Sequence, residues 1–313
     1  MWLSALVKLF RRSPDVPSSA PDAAFPYWSS DQAQRFRALT RAALAEAGVE
    51  ATVYADYAED ARGRKFGLAN LAAVCHNDSR GERAWRKVIQ THVRIIVSGM
   101  DKQSPFESMP PSDIFAATYL RLMPAEDVLP SMSYARPVAP DLAEVLNLDL
   151  PATVAYFTDE HVTRLGYDAL REAGLSNLSA VPISEHRTLE RGGGAVEVLL
   201  GQSMFTASLL LVLERVLDRY GLRADPDLGA FVGVPNRHQL DFHVVADARA
   251  IPSLNTLAAF TAAGYRDSAG VVSPNVYWWR PSGLRRISAL TPDGPRIEVD
   301  SELRSVFEAL TPR

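Results

Sequence analysis

Segments of helical periodicity alternate with short β-prone runs along most of this chain, and that alternation limits the fold more than any other feature. Residues 29–32 have the spacing of a capping box, residues 36–44 repeat apolar side chains at helical intervals, and Gly48 follows as a C-cap. The next run, residues 51–57, is rich in residues that favour strands. We therefore predict an α+β fold with mixed helices and antiparallel-rich sheets.

The same two patterns predict the remaining elements. A second capping-box spacing, at residues 79–82, opens a helical pattern that Gly99 ends. Three glycines, 192–194, separate two strand-like runs and predict a hairpin, because glycine adopts the positive φ angles of tight turns. The other predicted elements are strands at 115–122, 134–138 and 152–157, a helix from residue 158 or 159 to 174, and a buried central helix at 203–220.

Two octapeptides in the chain resemble each other. Residues 67–74 read GLANLAAV and residues 174–181 read GLSNLSAV, and an Ala-Thr-Val triplet precedes each, starting at Ala51 and Ala152. The chain therefore has two candidate related α/β halves. A chance match in a sequence rich in alanine and leucine is the alternative.

Composition divides the chain into four regions. Residues 1–12 are a short amphipathic segment, and residues 13–26, rich in Pro, Ser and Ala, predict a flexible linker. An N-terminal α+β region at 27–149 and a C-terminal α+β domain at 150–313 follow. Apolar residues make up 47% of the 313-residue chain, which is enough to fill a sizeable core without disulfides or metals.

The charge balance and the single cysteine exclude several classes of function. A net charge of −4 provides no general attraction for nucleic acid, so we expect no nucleic-acid partner. Cys75 alone excludes an intrachain disulfide and a cysteine-based zinc site, and it favours a reducing, cytoplasmic location. The longest apolar run, Leu209 to Leu213, is much shorter than a transmembrane helix. Residues 1–12 leave open a weak peripheral membrane contact, or a helix packed on the protein itself.

Four segments occur in the order of the motifs of a known family. They contain an Asn-Leu pair, a helix with Ala-Ser-Leu-Leu, a strand with a proline and an arginine, and a late aromatic run, at 178–182, 201–211, 232–242 and 273–279. Over residues 150–290 the chain resembles the YtpQ family of uncharacterised bacterial proteins. That resemblance implies a cytoplasmic α+β fold and no particular activity. The family pattern has Arg-Asp after the proline, whereas this chain has Arg237-His238, with Asp241 three residues later.

The run from Val232 to His243 is the most informative segment for chemistry. If it is one extended strand, Arg237, Asp241 and His243 share a face with Gln239, because alternate residues of a strand point the same way. Those three residues are the candidate catalytic set. Asp241 would orient His243 as a general base, or the two would bind a metal with ligands from elsewhere. The alternative is a solvated strand face with a weak Arg237–Asp241 ion pair.

A second candidate site is the aromatic run Tyr277, Trp278, Trp279 and Arg280, since Trp and Arg are frequent at protein contacts. Its alternative is a strand with one buried tryptophan and one at the rim. No complete catalytic set and no cofactor or metal motif is present, so we predict a non-catalytic module that binds a protein partner. The second hypothesis is a hydrolase-like enzyme that uses the polar face of Arg237, Asp241 and His243.

Overall fold

The computed structural model describes residues 20–100, 104–151 and 153–310, which form two compact units that divide between residues 102 and 103. Both units combine helices with antiparallel sheets, which confirms the predicted α+β fold. The amphipathic segment 1–12 lies outside the described residues. The first unit consists of helix α1 (Ser30–Glu46), strands β1 (Ala51–Val53), β2 (Tyr57–Asp60) and β3 (Lys65–Gly67), and helices α2 (Ala69–Asn77) and α3 (Glu82–Met100).

Helix α1 begins and ends where the sequence predicts. The backbone N–H of Gln32 donates to Ser29 Oγ over 3.3 Å, and the backbone N–H of Ser29 donates to Gln32 Oε1 over 3.1 Å. Gly48 follows the helix with a φ of 79°, in the left-handed region that glycine adopts without strain. The capping box and the glycine stop are therefore confirmed.

The core of the first unit is aromatic and includes part of the predicted linker. Phe25 is buried beside Trp28, and the ring centroids of Trp28 and Trp85 are 4.5 Å apart. The Asp22 carboxylate accepts from both Nη atoms of Arg37 on α1, over 2.8 and 2.9 Å. Residues 20–26 are therefore part of the folded unit and not a flexible tether. Composition alone concealed this, because an isolated Phe25 has no periodicity.

The second unit begins with a four-stranded antiparallel sheet and the helices around it. Strand β6 is its central member and pairs with β4, β5 and β7. The elements are α4 (Pro105–Ser108), α5 (Pro111–Ala116), β4 (Thr118–Pro124), β5 (Arg136–Ala139), β6 (Leu142–Leu150), β7 (Thr153–Tyr156), α6 (Asp159–Leu165) and α7 (Tyr167–Leu178). The domain boundary expected between residues 149 and 150 thus falls inside the paired strands β6 and β7. The two compact units divide earlier in the chain, between residues 102 and 103.

A six-stranded antiparallel sheet forms the rest of the second unit, with a small hairpin, a 3₁₀ helix and three α-helices among the described residues. Its elements are β8 (Glu185–Arg191), β9 (Gly194–Leu200), α8 (Leu213–Arg219), β10 (Ala230–Gly233), β11 (Gln239–Val244), α9 (Ala250–Asp267), β12 (Val276–Arg280) and β13 (Gly283–Arg286), then β14 (Ser288–Thr291), β15 (Gly294–Ile297) and α10 (Ser301–Leu310). The order in the six-stranded sheet is β13-β12-β10-β11-β9-β8. The predicted hairpin at the three glycines is confirmed as β8–β9.

Both faces of the six-stranded sheet are covered. Leu240 and Phe242 on one face join a core with α7, α8 and the four-stranded sheet. Phe231 and Trp278 on the other face join a core with residues of α9 and α10. Helix α9 lies across β9, β10 and β11. The central strands therefore have no side that faces water.

Two predicted helices are interrupted. The helix expected from residue 158 to 174 is two helices, α6 and α7, because Gly166 has a φ of 88° and breaks the hydrogen-bond pattern between them. The central helix expected at 203–220 is a 3₁₀ helix, Ala207–Val212, followed by α8. The segment 115–122 starts in α5 and only then enters β4.

The two similar octapeptides have different structures. Residues 67–74 end β3 and start α2, whereas residues 174–181 end α7 and continue into a turn. The elements after each octapeptide also differ, since helices follow the first and the β8–β9 hairpin follows the second. The hypothesis of two related halves is therefore wrong. Separately, no helix within the described ranges is long and apolar enough to cross a membrane.

Substitution of Gly194 on β9 tests how closely α9 packs on the sheet. A Cβ added to Gly194 would lie 2.5 Å from the backbone carbonyl of Pro252 on α9. We expect Gly194→Ala to lower the free energy of unfolding by about 1–3 kcal/mol, because backbone atoms must move apart. Gly67→Ala is the control, since nothing lies within 4 Å of its added Cβ. Urea unfolding of both variants measures the difference, and equal stabilities would contradict the packing described.

Candidate functional site

The segment 232–243 forms a hairpin instead of one strand. Strand β10 ends at Gly233 and β11 begins at Gln239, with Asp241 directly opposite Gly233. Pro235 in the connection has no N–H for a strand ladder. The side-chain oxygen of Asn236 accepts from the backbone N–H of His238 over 3.0 Å, which closes the turn. Arg237 therefore lies in the turn and does not share a strand face with the predicted partners on β11.

Asp241 lies at the end of a buried chain of amide hydrogen bonds. Its side chain is fully buried, and Gln239 Nε2 donates to its two carboxyl oxygens over 3.0 and 2.8 Å. Gln239 Oε1 in turn accepts from Asn236 Nδ2 over 3.1 Å. Burial raises the pKa of Asp241 to about 8, although the Gln239 hydrogen bonds oppose the increase. The carboxyl group is therefore mostly protonated at neutral pH.

Helix α9 closes the space above Asp241. A Cβ added to Gly233, the residue opposite Asp241, would lie 2.1 Å from Thr261 Oγ1 on α9. The Thr261 hydroxyl is itself buried and has no hydrogen-bond partner among the described residues. The small side chain at position 233 thus lets α9 approach the sheet. A substrate would have no space beside the Asp241 carboxyl group.

The three predicted catalytic residues do not meet. Within the described residues, no hydrogen bond or ion pair joins Asp241 to His243. Burial is the main cause of a lowered pKa for His243, so its imidazole is neutral at pH 7. The Nε atom of Arg237 donates to His238 Nε2 over 3.0 Å, in the turn. Arg237, Asp241 and His243 therefore lie in separate environments and do not form the predicted catalytic set.

Half of the predicted aromatic patch is core. Tyr277 and Trp278 are buried, and Trp278 Nε1 donates to the Leu228 carbonyl over 2.7 Å. The guanidinium groups of Arg280 and Arg285 lie over the Trp278 ring, 4.3 and 4.9 Å from its centre. Of the four residues of the predicted patch, Trp279 and Arg280 alone are partly exposed, so only these two can contribute to a surface.

Asp141, which the sequence did not single out, explains why Tyr277 is buried. The Tyr277 hydroxyl donates to Asp141 Oδ2 over 2.8 Å, and Asn275 Nδ2 donates to the same oxygen over 2.7 Å. Burial, and next the charge of Asp141, raise the pKa of Tyr277 far above its usual range. Asp141 precedes β6, 136 residues before Tyr277, so no local pattern predicts the contact. This cluster joins the two sheets of the second unit.

A groove on the protein surface lies beside Trp279. Two adjoining clefts of about 380 and 300 Å³ share Leu211, Trp279 and Pro281, and we call them together the Trp279 groove. The charged side chains that line the groove are Arg136, Arg171, Arg215, Arg280, Glu144 and Glu214. Glu144 is buried and accepts from Arg171 Nε over 2.6 Å. The groove combines an aromatic wall with an excess of positive charge.

No three His, Cys, Asp or Glu side chains converge as a metal site would require, anywhere in residues 20–100, 104–151 or 153–310. Comparison of the chain with protein-family models, with curated proteins and with solved structures gave no match.

The two tryptophans are expected to differ sharply in their effect on stability. Trp278→Ala removes a buried indole and its hydrogen bond, so we expect a loss of about 3–5 kcal/mol in the free energy of unfolding. Trp279→Ala removes a partly exposed ring, and we expect a loss of about 1 kcal/mol. Urea unfolding measures both, and equal losses would contradict the burial of Trp278. Trp278→Ala is accordingly unsuitable as a test of binding.

Asp241 is expected to make stability depend on pH. Its pKa is about 8 in the folded protein against an ordinary 3.8, so the folded state holds a proton that the unfolded chain releases between those values. The free energy of unfolding therefore falls as pH rises through this window, by up to about 1.4 kcal/mol per pH unit, and levels off above it. Asp241→Asn removes this dependence.

Urea unfolding at several pH values between about 5 and 8 measures the slope that Asp241 causes. We expect a smaller slope in Asp241→Asn than in the wild-type protein. The control is Asp293→Asn, which changes an exposed carboxylate in the β14–β15 turn. An identical slope in wild type and Asp241→Asn would show that the buried carboxyl group ionises normally.

Proposed function

We propose that this chain is a non-catalytic binding protein, and that its Trp279 groove binds an acidic peptide segment of a protein partner. The observation that carries this proposal is a partly exposed tryptophan between two adjoining clefts with arginines along them. Trp and Arg are enriched among the interface residues that contribute most of the binding free energy. Leu211 and Pro281 add apolar surface on either side of the indole.

Charge supports an acidic partner. Four arginines and two glutamates line the groove. Glu144 is buried and paired with Arg171 over 2.6 Å, and Arg280 is paired with Glu302 over 2.7 Å. The positive charge that a ligand meets therefore comes mainly from Arg136 and Arg215. The side chain of Arg136 is 54% exposed, and its ion pair with Glu144 is long, at 4.0 Å between Nη1 and Oε1, so a ligand carboxylate can approach its guanidinium group. An acidic segment therefore complements the groove, whereas a basic one is repelled.

The hydrolase-like alternative has weaker support. A substrate would have to reach Asp241, whose side chain is fully buried beneath α9. General acid or base catalysis also needs a group within hydrogen-bond reach of the reacting atom. His243 is neutral but only partly exposed, and its Nε2 atom is enclosed. These environments suit packing better than turnover.

The family and the compartment are further parts of the proposal. We infer a cytoplasmic, bacterial, YtpQ-like protein from the four ordered motif segments between residues 178 and 279. The single cysteine, Cys75, supports a reducing compartment, since it is buried and unpaired. Two of the four segments form the β10–β11 hairpin and strand β12, which lie side by side in the six-stranded sheet.

A quantitative pull-down from bacterial extract tests the groove, with partners identified by mass spectrometry. We compare the wild-type protein with Trp279→Ala and with Arg136→Glu, which reverses an exposed charge at the groove. We expect the same partner to be lost with both variants. We further expect a synthetic peptide of its acidic segment to bind the wild-type protein in a titration, with affinity that falls at high salt.

Leu129→Ala is the matched control, because Leu129 is 52% exposed and lies outside the groove. It should retain every partner. An unchanged partner list for both groove variants contradicts the proposal, and so does a partner whose bound segment is not acidic. Circular dichroism on each variant confirms that the fold is intact before the comparison is made.

A further inference from the structure

We propose that Arg121, Asn147 and Arg237 form a binding site for a phosphate group. The site shares no residue with the Trp279 groove, so it stands independently of the function proposed above. Three features carry the inference: a bond that crosses β6, a buried amide beneath it without partners, and a second guanidinium group nearby.

The first feature is a contact across the four-stranded sheet. Arg121 on β4 donates from Nη1 to the Tyr156 hydroxyl on β7 over 3.0 Å, and its guanidinium group also lies 5.7 Å from the Tyr156 ring centre. Strand β6 runs between these two strands. Asn147 on β6 is directly opposite Tyr156 and also opposite Tyr119 on β4. Directly opposed residues share a face, so Asn147 lies beneath the bond from Arg121 to Tyr156.

The second feature is unsatisfied hydrogen bonding. The Asn147 side chain is fully buried, and neither its Nδ2 nor its Oδ1 atom has a hydrogen-bond partner within the described residues. The Arg121 Nε atom is likewise buried and without a partner there. Such groups are rare because each one costs free energy. Two donors and one acceptor at one place on the sheet indicate a polar group that binds between them.

The third feature is positive charge without a counter-ion. The backbone N–H of Ala207 donates to the Arg237 carbonyl over 3.2 Å, and the next residue, Ser208, accepts from the backbone N–H of Leu122 on β4 over 2.9 Å, so Arg237 lies beside the strand that carries Arg121. Burial, and next the charge of Arg121, lower the pKa of Arg237. Neither group is within 4.0 Å of a carboxylate in the described part of the chain. His238 adds no charge, since burial and then Arg237 lower its pKa. A half-buried pair of like charges favours an anion between them.

Arg237 is held in place before any ligand binds. Its backbone N–H donates to the Gly270 carbonyl over 2.9 Å, and its Nε donates to His238 Nε2 over 3.0 Å. The stem also packs against Gly270, where an added Cβ would lie 2.7 Å from Arg237 Cδ. This leaves the terminal nitrogens of Arg237 available. A guanidinium group fixed in this way loses little entropy on binding.

Phosphate fits these groups better than a carboxylate. Two guanidinium groups match a dianion, and arginine forks bind phosphate oxygens in pairs. Monohydrogen phosphate also has an O–H that can donate to Asn147 Oδ1, while another of its oxygens accepts from Asn147 Nδ2. A carboxylate has one negative charge and no O–H. Inorganic phosphate and a phosphate monoester share the charge and the acceptor oxygens, and the monohydrogen phosphate dianion alone adds the O–H for Asn147 Oδ1.

Isothermal titration calorimetry with sodium phosphate, against sodium chloride of equal ionic strength, tests the site. We expect saturable binding to the wild-type protein, and a dissociation constant raised at least about tenfold in Arg121→Gln and in Arg237→Gln. Arg296→Gln is the matched control, because its side chain is 70% exposed, and it should bind as the wild type does. A parallel titration with glycerol phosphate distinguishes a monoester ligand from inorganic phosphate.

Thermal unfolding without phosphate separates loss of the site from loss of the fold. We expect Asn147→Leu to have a melting temperature equal to or above that of the wild type, because it removes an unpaired buried amide, and yet to lose phosphate binding. Phosphate should raise the melting temperature of the wild type and of Arg296→Gln, and leave that of the arginine variants and Asn147→Leu unchanged. The proposal is overturned if the wild type shows no saturable binding at millimolar phosphate, or if the arginine variants and Asn147→Leu bind as tightly as the wild type.

Discussion

Helix α9 packs across the six-stranded sheet, and this contact determines the environment of every polar side chain beneath it. The opposite face of the sheet packs on the core that contains Leu240 and Phe242, so neither face of strands β10 and β11 is open to solvent. A charge there would be desolvated without compensation. Asp241 accordingly keeps its proton and takes both hydrogen bonds from Gln239, and His243 is neutral. Gly233 has no side chain at the point where Thr261 of α9 contacts the sheet.

Local signals in the sequence predicted local structure well. The capping box before α1, the hairpin at Gly192 and Gly193, and strand β7 depend on neighbours a few residues away, and each is present. The pattern also assigned Asp241 and His243 to one face of a strand, opposite Leu240 and Phe242, as the two cores require. The alternation of polar and apolar residues along the strand could not predict that α9 covers the polar face, because α9 comes later in the chain and packs back onto the sheet.

The candidate sites also depend on long-range packing that local sequence patterns do not predict. Trp278 and Trp279 are adjacent and chemically identical, and only the positions of neighbouring elements decide that one is core and the other lines a groove. Asp141 contacts Tyr277 from a distant loop, and Asn147 stands out only because no atom of the described residues completes its hydrogen bonds. Long-range contacts of this kind leave no trace in residue spacing. The sequence singled out Arg237 as a catalytic candidate but not Arg121, because Arg121 lies on β4 of the other sheet, far from Arg237 in the sequence.

Strand β8 forms one end of the six-stranded sheet, and its composition has a consequence for how the protein meets other chains. An end strand carries unpaired backbone groups onto which a foreign strand can add. Charged and titratable side chains occupy most of β8, at Glu185, His186, Arg187, Glu190 and Arg191. An added strand would have to desolvate these groups and match their signs. β8 is therefore a poor template for β-augmentation and for self-aggregation, so a partner at this end of the sheet must contact side chains and not the open backbone edge.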